Sequence, residues 1–385
     1  MIFVNCTGET FTPTRSGAIS TWIWEVCQEA QRDGQEPLVI SRRCNADPHP
    51  WKKTIFLDYP WVPTMRGTGI GRLLRIQQQI TGWAHQRQKV YAKRVVRAIR
   101  KSGEEKMAMF LQNDPELAVY LREQFPNAFI VHLFQNAYGC SSRFRRKFPA
   151  AVNVIAAVSK YCASWNEDYF GLESGKIKVL YNGVNTGKYH PAANPPAGRP
   201  IINFVGRTDK DKAPDLVLKA ARKLVEEGRS FGVQILGARY YWGTERDAYQ
   251  DEIDRLAAEL ESAGVEVRRP GVITRDALPD ELRRAHIHVV PSRWDDPCPL
   301  TTMEGMATGL PTIGSRAGGI PELIDEFGLH FERDSLDGLV GHLRSLVSDD
   351  ALRLDWGSKA RQRAESFTWG RTWRGVREML PNVKD

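Results

Sequence analysis

Short apolar runs alternate with amphipathic helical segments along the chain, and this alternation limits the possible folds more than any other feature. The runs MIFVNC and AVNVIAAVS are compact and apolar, as in parallel strands buried on both faces. AISTWIWEVCQEAQRDG, after the first run, has its apolar residues at helical spacing, and Gly34 closes the helix. Strands and helices in this order predict a parallel sheet with crossover helices.

A second series of the same kind begins near residue 200. PIINFVG and FGVQILG read as strands, and APDLVLKAARKLVEEG between them reads as a helix with Pro214 in its first turn. The two series are separated by NTGKYHPAANPPAGRP, a linker rich in Pro, Gly and Asn. A chain of 385 residues is also long for a single core. We therefore predict an α/β fold with two Rossmann-like, doubly wound domains that face a cleft.

The composition excludes several classes of protein. No run approaches 18 apolar residues, so no transmembrane helix is expected, and the N-terminal residues lack the pattern of a signal peptide. The six cysteines are scattered without a C-x-x-C pair, which argues against disulfides and zinc sites. These features predict a cytoplasmic protein.

Positive charge is concentrated in the first half of the chain. Residues 1–187 hold 25 Lys and Arg against 15 Asp and Glu, whereas the rest is nearly neutral. Segment 66–101 has ten Lys and Arg, no acid, and apolar residues at helical spacing, and 141–148 is a second basic cluster. Both segments predict a peripheral anionic membrane surface as partner, with a solvated face on core-packed helices as the alternative. No nucleic-acid module accompanies the charge, so nucleic acid is not expected.

Loops that follow strands are the expected ligand sites of such sheets, because loop amides and helix N-termini meet there. Gly17 follows the first strand and permits close approach of a ligand, although G-x-G-x-x-G is absent. Arg207 and Lys212 follow the strand PIINFVG and suit a diphosphate. The alternative is a charged loop tip that is neutralised by its own aspartates.

Two later loops complete the candidate set. In GVITRDALPDE, Val272 follows a short strand, although an ordinary turn fits this loop as well. Glu304 lies on the helix LTTMEGMATG, whose apolar neighbours predict that it is mostly buried, and a carboxylate there can hold a ribose diol. Gly318 and Gly319 permit close approach of a phosphate to the next helix.

Together these pieces resemble the retaining glycosyltransferases of the GT-B fold, family four (glycosyl transferases group 1), over nearly the whole chain. INFVGRTDKDKAPDLVLKA and MEGMATGLPTIGSRAGGIPELI carry most of the resemblance. It implies an N-terminal acceptor-binding domain (1–187), a C-terminal nucleotide-sugar domain (188–365) and a final helix that returns to the first domain (366–385).

The resemblance also implies a role for individual residues. Arg207 and Lys212 would be catalytic and would hold the donor diphosphate. Asp296 stands where the family usually has a sugar-binding Glu, and Gln135 stands where many relatives have a His. The implied donor-binding residues are Gly17, Arg207, Lys212, Val272, Asp296, Leu300, Thr301, Glu304, Gly318 and Gly319. The implied acceptor-binding residues are Ser16, His132, Gln135 and Asn136.

The expected activity is transfer of a hexose from a UDP- or GDP-sugar to a saccharide or lipid-linked acceptor, with retention and with neither a metal nor a cofactor. Bacterial polysaccharide, lipopolysaccharide or glycolipid synthesis is the expected setting, in the cytoplasm or on the inner face of the plasma membrane. Two alternatives stay open, a nucleotide-sugar epimerase of the same fold and a non-catalytic sugar-binding or peripheral membrane protein.

Overall fold

Two compact units make up the chain. One comprises Met1–Tyr181 with Gly370–Asp385, and the other is Asn182–Trp369. Each unit is built on one parallel sheet with its helices, which confirms the predicted α/β class with two Rossmann-like units. The computed structural model describes residues 1–14, 17–58, 86–194, 196–239 and 247–381.

The sheet of the first unit has seven strands among the described residues. They are β1 (Ile2–Val4), β2 (Leu38–Arg42), β3 (Thr54–Leu57), β4 (Met109–Gln112), β5 (Ile130–Phe134), β6 (Val154–Ala157) and β7 (Lys178–Val179). Their order in the sheet is β3-β2-β1-β4-β5-β6-β7. Successive strands are added to one side of β1 up to β3 and to its other side from β4 onward, so the strand order reverses between β1 and β4. Every residue of β5 is buried, as expected for a central parallel strand.

Helices connect these strands. They are α1 (Ala18–Arg32), α2 (Gln86–Ser102), α3 (Pro115–Gln124), α4 (Ser142–Ala151) and α5 (Lys160–Phe170). The apolar stripe of α1 is buried as its spacing predicts, and the Trp22 ring meets the Phe3 ring of β1 edge-on, with the centroids 5.6 Å apart. This contact attaches the helix to the sheet.

The basic segment 66–101 is described only from residue 86 onward, and the rest of that prediction lies outside the described residues. In α2, Tyr91, Val95 and Ala98 are buried in the first unit, while Lys93 and Arg97 are exposed. The part of the predicted apolar stripe that lies in α2 therefore belongs to the core, which corrects the idea that this part enters a lipid surface.

The second basic cluster behaves in the same way. Phe144 and Phe148 of α4 are buried, and Arg145 and Arg146 beside them are exposed. In the described part of the chain, no helix is both long enough and apolar enough to cross a membrane.

The sheet of the second unit has six strands within the described ranges. They are β8 (Ile201–Val205), β9 (Gly232–Leu236), β10 (Glu266–Gly271), β11 (Ile287–Val290), β12 (Thr312–Ser315) and β13 (Leu329–Phe331). Their order is β10-β9-β8-β11-β12-β13, so this sheet reverses between β8 and β11.

Seven helices of the second unit cover this sheet in the described segments. They are α6 (Pro214–Glu226), α7 (Ala248–Ser262), α8 (Leu278–Arg283), α9 (Leu300–Ala307), α10 (Ile320–Ile324), α11 (Leu336–Ser348) and α12 (Asp350–Ala364). Val217 of α6, Val289 of β11 and Leu343 of α11 are fully buried in one core cluster. The burial of the strand residues on both faces explains why their sequence reads as continuous apolar runs.

The last helix, α13 (Trp369–Glu378), belongs with the first unit from Gly370 onward. The Trp373 indole N–H donates to the Asp33 carboxylate over 3.1 Å, and Arg377 pairs with the same carboxylate at 2.8 Å. Asp33 lies directly after α1, so these contacts attach the C-terminal helix to the first unit.

Candidate functional site

The candidate site lies where the strand order of the second sheet reverses, at the ends of β8 and β11. Loops that leave such adjacent strands form a ligand-binding crevice in open α/β sheets. The backbone N–H groups of Arg293 and Trp294 donate to the Asp211 carbonyl oxygen, over 2.8 and 3.1 Å. The loop that contains Arg207 and Lys212 is thereby held against the loop that contains Asp296.

Lys212 and Asp296 form an ion pair between these two loops. Only 6% of Asp296 is exposed, and the Lys212 ammonium also lies 5.0 Å from the centroid of the Trp294 ring. The Lys212 backbone N–H donates to the Asp209 carboxylate over 3.0 Å, which fixes the base of the side chain. Two residues predicted to bind the donor are therefore in direct contact.

Arg207 lies in the same loop but has a different environment. Its guanidinium is 2.9 Å from Asp209 and 4.0 Å from Asp211, and its side chain is 40% exposed. These pairs match the alternative of a loop tip neutralised by its own aspartates. They also hold a charged guanidinium at the end of β8, where the predicted diphosphate would lie.

Asp215, the third aspartate of that sequence, pairs with Arg293 instead. Both Arg293 amino groups contact its carboxylate, at 2.7 and 2.8 Å, and the Tyr249 hydroxyl donates to it over 2.6 Å. Burial alone would raise the pKa of Asp215, but hydrogen bonds from Arg293, Tyr249 and Lys219 outweigh it and hold the pKa well below its usual value. This charged group attaches the loop after β11 to α6.

Glu304 is buried on α9, as predicted, with 4% of its surface exposed. One carboxylate oxygen accepts a hydrogen bond from Arg275 over 2.7 Å, and the other accepts none from the described part of the chain. A buried carboxylate oxygen without a donor is destabilising unless a ligand supplies one. Glu304 therefore has the unused acceptor capacity that a ribose diol requires.

Two residues around Glu304 were missed by the sequence analysis. Arg275 is the only Lys or Arg in GVITRDALPDE, and that single cation was the available signal. Tyr189 lies in the predicted linker, where nothing in the sequence indicates a site. Burial, the negative charge of Glu304 and a hydrogen bond with its side chain raise the pKa of Tyr189, so the protonated Tyr189 hydroxyl is a further neighbour of the Glu304 carboxylate.

The Gly318–Gly319 turn contacts the Asp295–Asp296 segment. The Gly318 N–H donates to the Asp295 carboxylate over 2.9 Å, and the Gly319 N–H donates to the Asp296 carbonyl oxygen over 2.8 Å. These donors are thus already used, and α10 beyond them has only five residues. The Gly318 and Gly319 N–H groups are therefore not free to bind the predicted phosphate. The turn instead positions Asp296.

Leu300 and Thr301 occupy the first turn of α9. The N-cap residue is Pro299, and its hydrocarbon side chain cannot cap the backbone N–H groups of this turn. Helix N-termini without a side-chain cap attract anions. Just before the helix, the Cys298 carbonyl oxygen accepts a hydrogen bond from Asn182 over 3.1 Å, so Asn182 helps to fix the start of α9.

Val272 stands apart from these contacts. It follows β10, and 48% of it is exposed. Gly271 before it has a φ of +80° and accepts a hydrogen bond from the Gly237 N–H over 2.8 Å. Val272 is therefore at the end of a strand as predicted, with its side chain open to solvent.

In the first unit, the predicted residue Ser16 lies outside the described residues. The Gly17 N–H donates to the Glu9 carboxylate over 2.7 Å, and a Cβ at Gly17 would lie 2.6 Å from the same carboxylate. The start of α1 therefore already holds an anionic group of the chain, so Gly17 does not offer a free amide to a donor.

His132 lies in the core of the first unit. It is fully buried, and its ring meets those of Phe134 and Phe148 edge-on. Its Nε2 accepts a hydrogen bond from the Asp114 N–H over 3.1 Å, and burial lowers the pKa of His132 to about 3. The ring therefore packs as part of the core of the first unit, and the predicted acceptor-binding role of His132 remains a prediction.

Gln135 and Asn136 organise the loop after β5. Their backbone N–H groups donate to the Asn113 side-chain oxygen, over 2.7 and 3.2 Å, and the Gln135 amide donates to Gln112 over 3.1 Å. Gln135 is buried and Asn136 partly exposed. They connect β5 to the end of β4, where the predicted acceptor role remains a prediction.

Comparison with known proteins identifies the class of the second unit. Residues 185–363 match the family model of glycosyl transferases group 1. This stretch of the chain is similar to that family, and it contains Arg207, Lys212, Asp296 and Glu304.

Similar proteins extend this assignment. The chain is 25% identical over 282 residues to spore coat protein SA of Bacillus subtilis (67% of this chain, 74% of that protein). It is 30% identical over 254 residues to the D-inositol 3-phosphate glycosyltransferase of Nocardia farcinica (58% of this chain), and the match spans only 53% of that relative. The structure of Anabaena HepE with UDP and glucose matches with a TM-score of 0.72 over 99% of both chains at 14% identity, a likeness of fold. The fold is the GT-B fold.

Proposed function

We propose that this chain is a retaining glycosyltransferase that moves a hexose from a UDP- or GDP-sugar to a hydroxyl of a saccharide or lipid-linked acceptor. The observation that carries the proposal is the Glu304 carboxylate, buried inside a group 1 glycosyltransferase domain, with one oxygen held by Arg275 and the other unpartnered among the described residues. That second oxygen accepts from the ribose hydroxyls of the donor nucleotide.

Arg207 and Lys212 stabilise the leaving diphosphate. When the bond to the anomeric carbon breaks, negative charge grows on the diphosphate while the sugar becomes oxocarbenium-like. Cations held in place before the reaction stabilise that charge without reorganisation. Arg207 is already held by Asp209 in its own loop and Lys212 by Asp296 in the loop after β11, and the uncapped first turn of α9 adds a partial positive charge. With these groups in place of a metal, we propose that catalysis is metal-independent.

Asp296 binds a hydroxyl of the donor sugar. Its carboxylate is buried beside the Lys212 ammonium, so the sugar recognition group and the diphosphate recognition group are in contact. The side chain is one methylene shorter than Glu, which suits a different sugar or sugar orientation from that of relatives with Glu. The Anabaena structure, determined with UDP and glucose, supports a UDP donor, and the Nocardia relative supports a hydroxyl-rich acceptor.

The ribose assignment is tested by pairing Glu304→Gln with 2′-deoxy-UDP and 2′-deoxy-GDP. Hydrogen bonds to a charged group contribute about 1.5–3 kcal/mol, so wild type should bind the deoxy nucleotide roughly 10- to 100-fold more weakly. Glu304→Gln should show little discrimination. Calorimetry measures both affinities, and equal binding of UDP and 2′-deoxy-UDP by wild type, with the same for the GDP pair, would remove the ribose role.

Transfer itself is tested with a sugar nucleotide and a panel of acceptors. Wild type should release nucleotide in proportion to glycoside formed, with or without EDTA, and NMR should show the anomeric configuration of the donor retained. Nucleotide release that needs no acceptor, with an altered sugar as product, would instead identify an epimerase.

A further inference from the structure

The first unit has its own reversal of strand order, between β1 and β4. At this edge Val4 pairs with Leu111, so Asn5 and Gln112 follow on neighbouring strands. The next residues of the β4 loop are Asn113, with a φ of +48°, and Asp114, which caps α3 by accepting from the Leu117 N–H over 3.0 Å. Open α/β sheets bind ligands at such a point.

Glu116, in the first turn of α3, is fully buried there and has no hydrogen-bond partner in the described part of the chain. Neither of its carboxyl oxygens accepts a hydrogen bond within the described segments. The Asn5 side-chain oxygen and the Gln112 side-chain nitrogen, both fully buried, also lack partners among those residues. Folding removes such groups from water without replacing their hydrogen bonds, which is unfavourable unless a ligand replaces them.

The chemistry of these groups selects an uncharged ligand. Burial raises the pKa of Asp114, and burial together with the Asp114 charge raises the pKa of Glu116. Near them lie the Tyr138 hydroxyl and the Cys6 and Cys140 thiols, whose pKa values are also raised, chiefly by burial. The Glu9 carboxylate acts on Cys6, and the exposed Arg145 guanidinium acts on Cys140. Three acids and three neutral groups, with one exposed cation, disfavour a phosphate, whereas a protonated carboxyl both donates to and accepts from a hydroxyl.

We propose that Glu116, with Asp114 behind it, binds hydroxyl groups of an uncharged part of the acceptor sugar. This inference rests on the proposed glycosyltransferase function and gives it an acceptor chemistry. The reacting end of the acceptor is then a neutral saccharide, and any phosphate or lipid-diphosphate group lies elsewhere.

The decisive variant is Glu116→Met, which has nearly the same shape and no hydrogen-bonding atoms. Binding to the full chain is measured by saturation-transfer NMR, with methyl α-glucoside, methyl α-mannoside, methyl α-galactoside and myo-inositol as neutral probes. Glucose 6-phosphate and glucosamine are the charged probes. We expect wild type to bind at least one neutral probe, and Glu116→Met to bind it at least tenfold more weakly while its melting temperature is unchanged or higher.

The control is nucleotide binding, since Glu116 belongs to the first unit and the proposed ribose site to the second. Glu116→Met should bind UDP and GDP as wild type does. If wild type binds a neutral probe and neither nucleotide, the glycosyltransferase proposal fails and the sugar site stands. If no neutral probe binds, if a charged probe binds instead, or if binding survives in Glu116→Met, the sugar site is overturned.

Discussion

At the scale of single residues, Lys212 and Asp296 depend on each other. Their side chains are 21% and 9% exposed, so Lys212→Ala leaves a largely buried carboxylate without its cation. Removing one partner of such a pair costs more than neutralising both, so we expect Lys212→Ala to lower the free energy of unfolding by about 2 kcal/mol. Adding Asp296→Asn should restore roughly half of that loss. Urea denaturation measures the free energy of unfolding of each variant.

The matched control is Lys223→Ala, because Lys223 forms an exposed pair with Glu226 at 3.0 Å. Exposed pairs contribute about 0–1 kcal/mol, so this change should be nearly neutral. Turnover should fall about 10²–10³-fold in Lys212→Ala and should not recover in the double variant, because the diphosphate still lacks its cation. A double variant less stable than Lys212→Ala would contradict the pairing.

Single-residue environments were only partly predictable. The burial of Glu304 followed from its apolar neighbours on one helix, since local spacing reports which face is buried. Its partner Arg275, and the contact of Lys212 with Asp296, depend on which strand ends are adjacent in the sheet, and spacing along the chain does not contain that information. The core position of His132 was not predicted for a similar reason, because a polar residue in an apolar strand is compatible with either a ligand-binding or a core position.

At the scale of elements, the Gly318 turn is what positions the loop after β11. Its φ is +56°, and an added Cβ would lie 2.5 Å from the backbone of Asp295 and Asp296. Gly318→Ala must therefore push that loop away from the site. We expect donor KM to rise at least tenfold with a smaller loss of stability, measured by steady-state kinetics and thermal melting.

Gly341→Ala provides the control for this change. Gly341 lies inside α11, and an added Cβ would meet nothing within 4 Å. Alanine there should raise the free energy of unfolding by about 0.5–1 kcal/mol and leave donor KM unchanged. Equal effects of the two changes on KM would show that the Gly318 turn does not position the site.

Long elements were easier to predict than short ones. α1 and α6 follow from the helical spacing of their apolar residues, and β6 and β8 from continuous apolar runs. β3, β4, β7 and β13 were not predicted from the sequence. β4 is only four residues, MFLQ, and β7 has two, so both are too short to show a period, and pairing with neighbouring strands defines them.

At the scale of the whole molecule, the excess of cations in the first half was predicted to meet an anionic membrane. In α2 the apolar stripe is buried, so only exposed cations such as Lys93 and Arg97 are available for that contact. Binding that depends on charge alone is screened by salt, whereas an inserted apolar helix face would resist it. We therefore propose that α2 contributes to membrane association through its charges alone.

The test is co-sedimentation with phosphatidylcholine vesicles that contain rising fractions of phosphatidylserine. Binding should rise with the anionic fraction and disappear at about 0.5 M salt, where the Debye length falls to a few ångströms. Each cation near an anionic surface contributes about 1 kcal/mol, so Lys93→Gln/Arg97→Gln should weaken binding roughly tenfold or more. Lys223→Gln/Arg344→Gln removes the same charge from the second unit and should leave vesicle binding unchanged. Salt-resistant binding would show that an apolar surface enters the lipid, and equal losses in the two double variants would show that net charge, rather than the first unit, directs the contact.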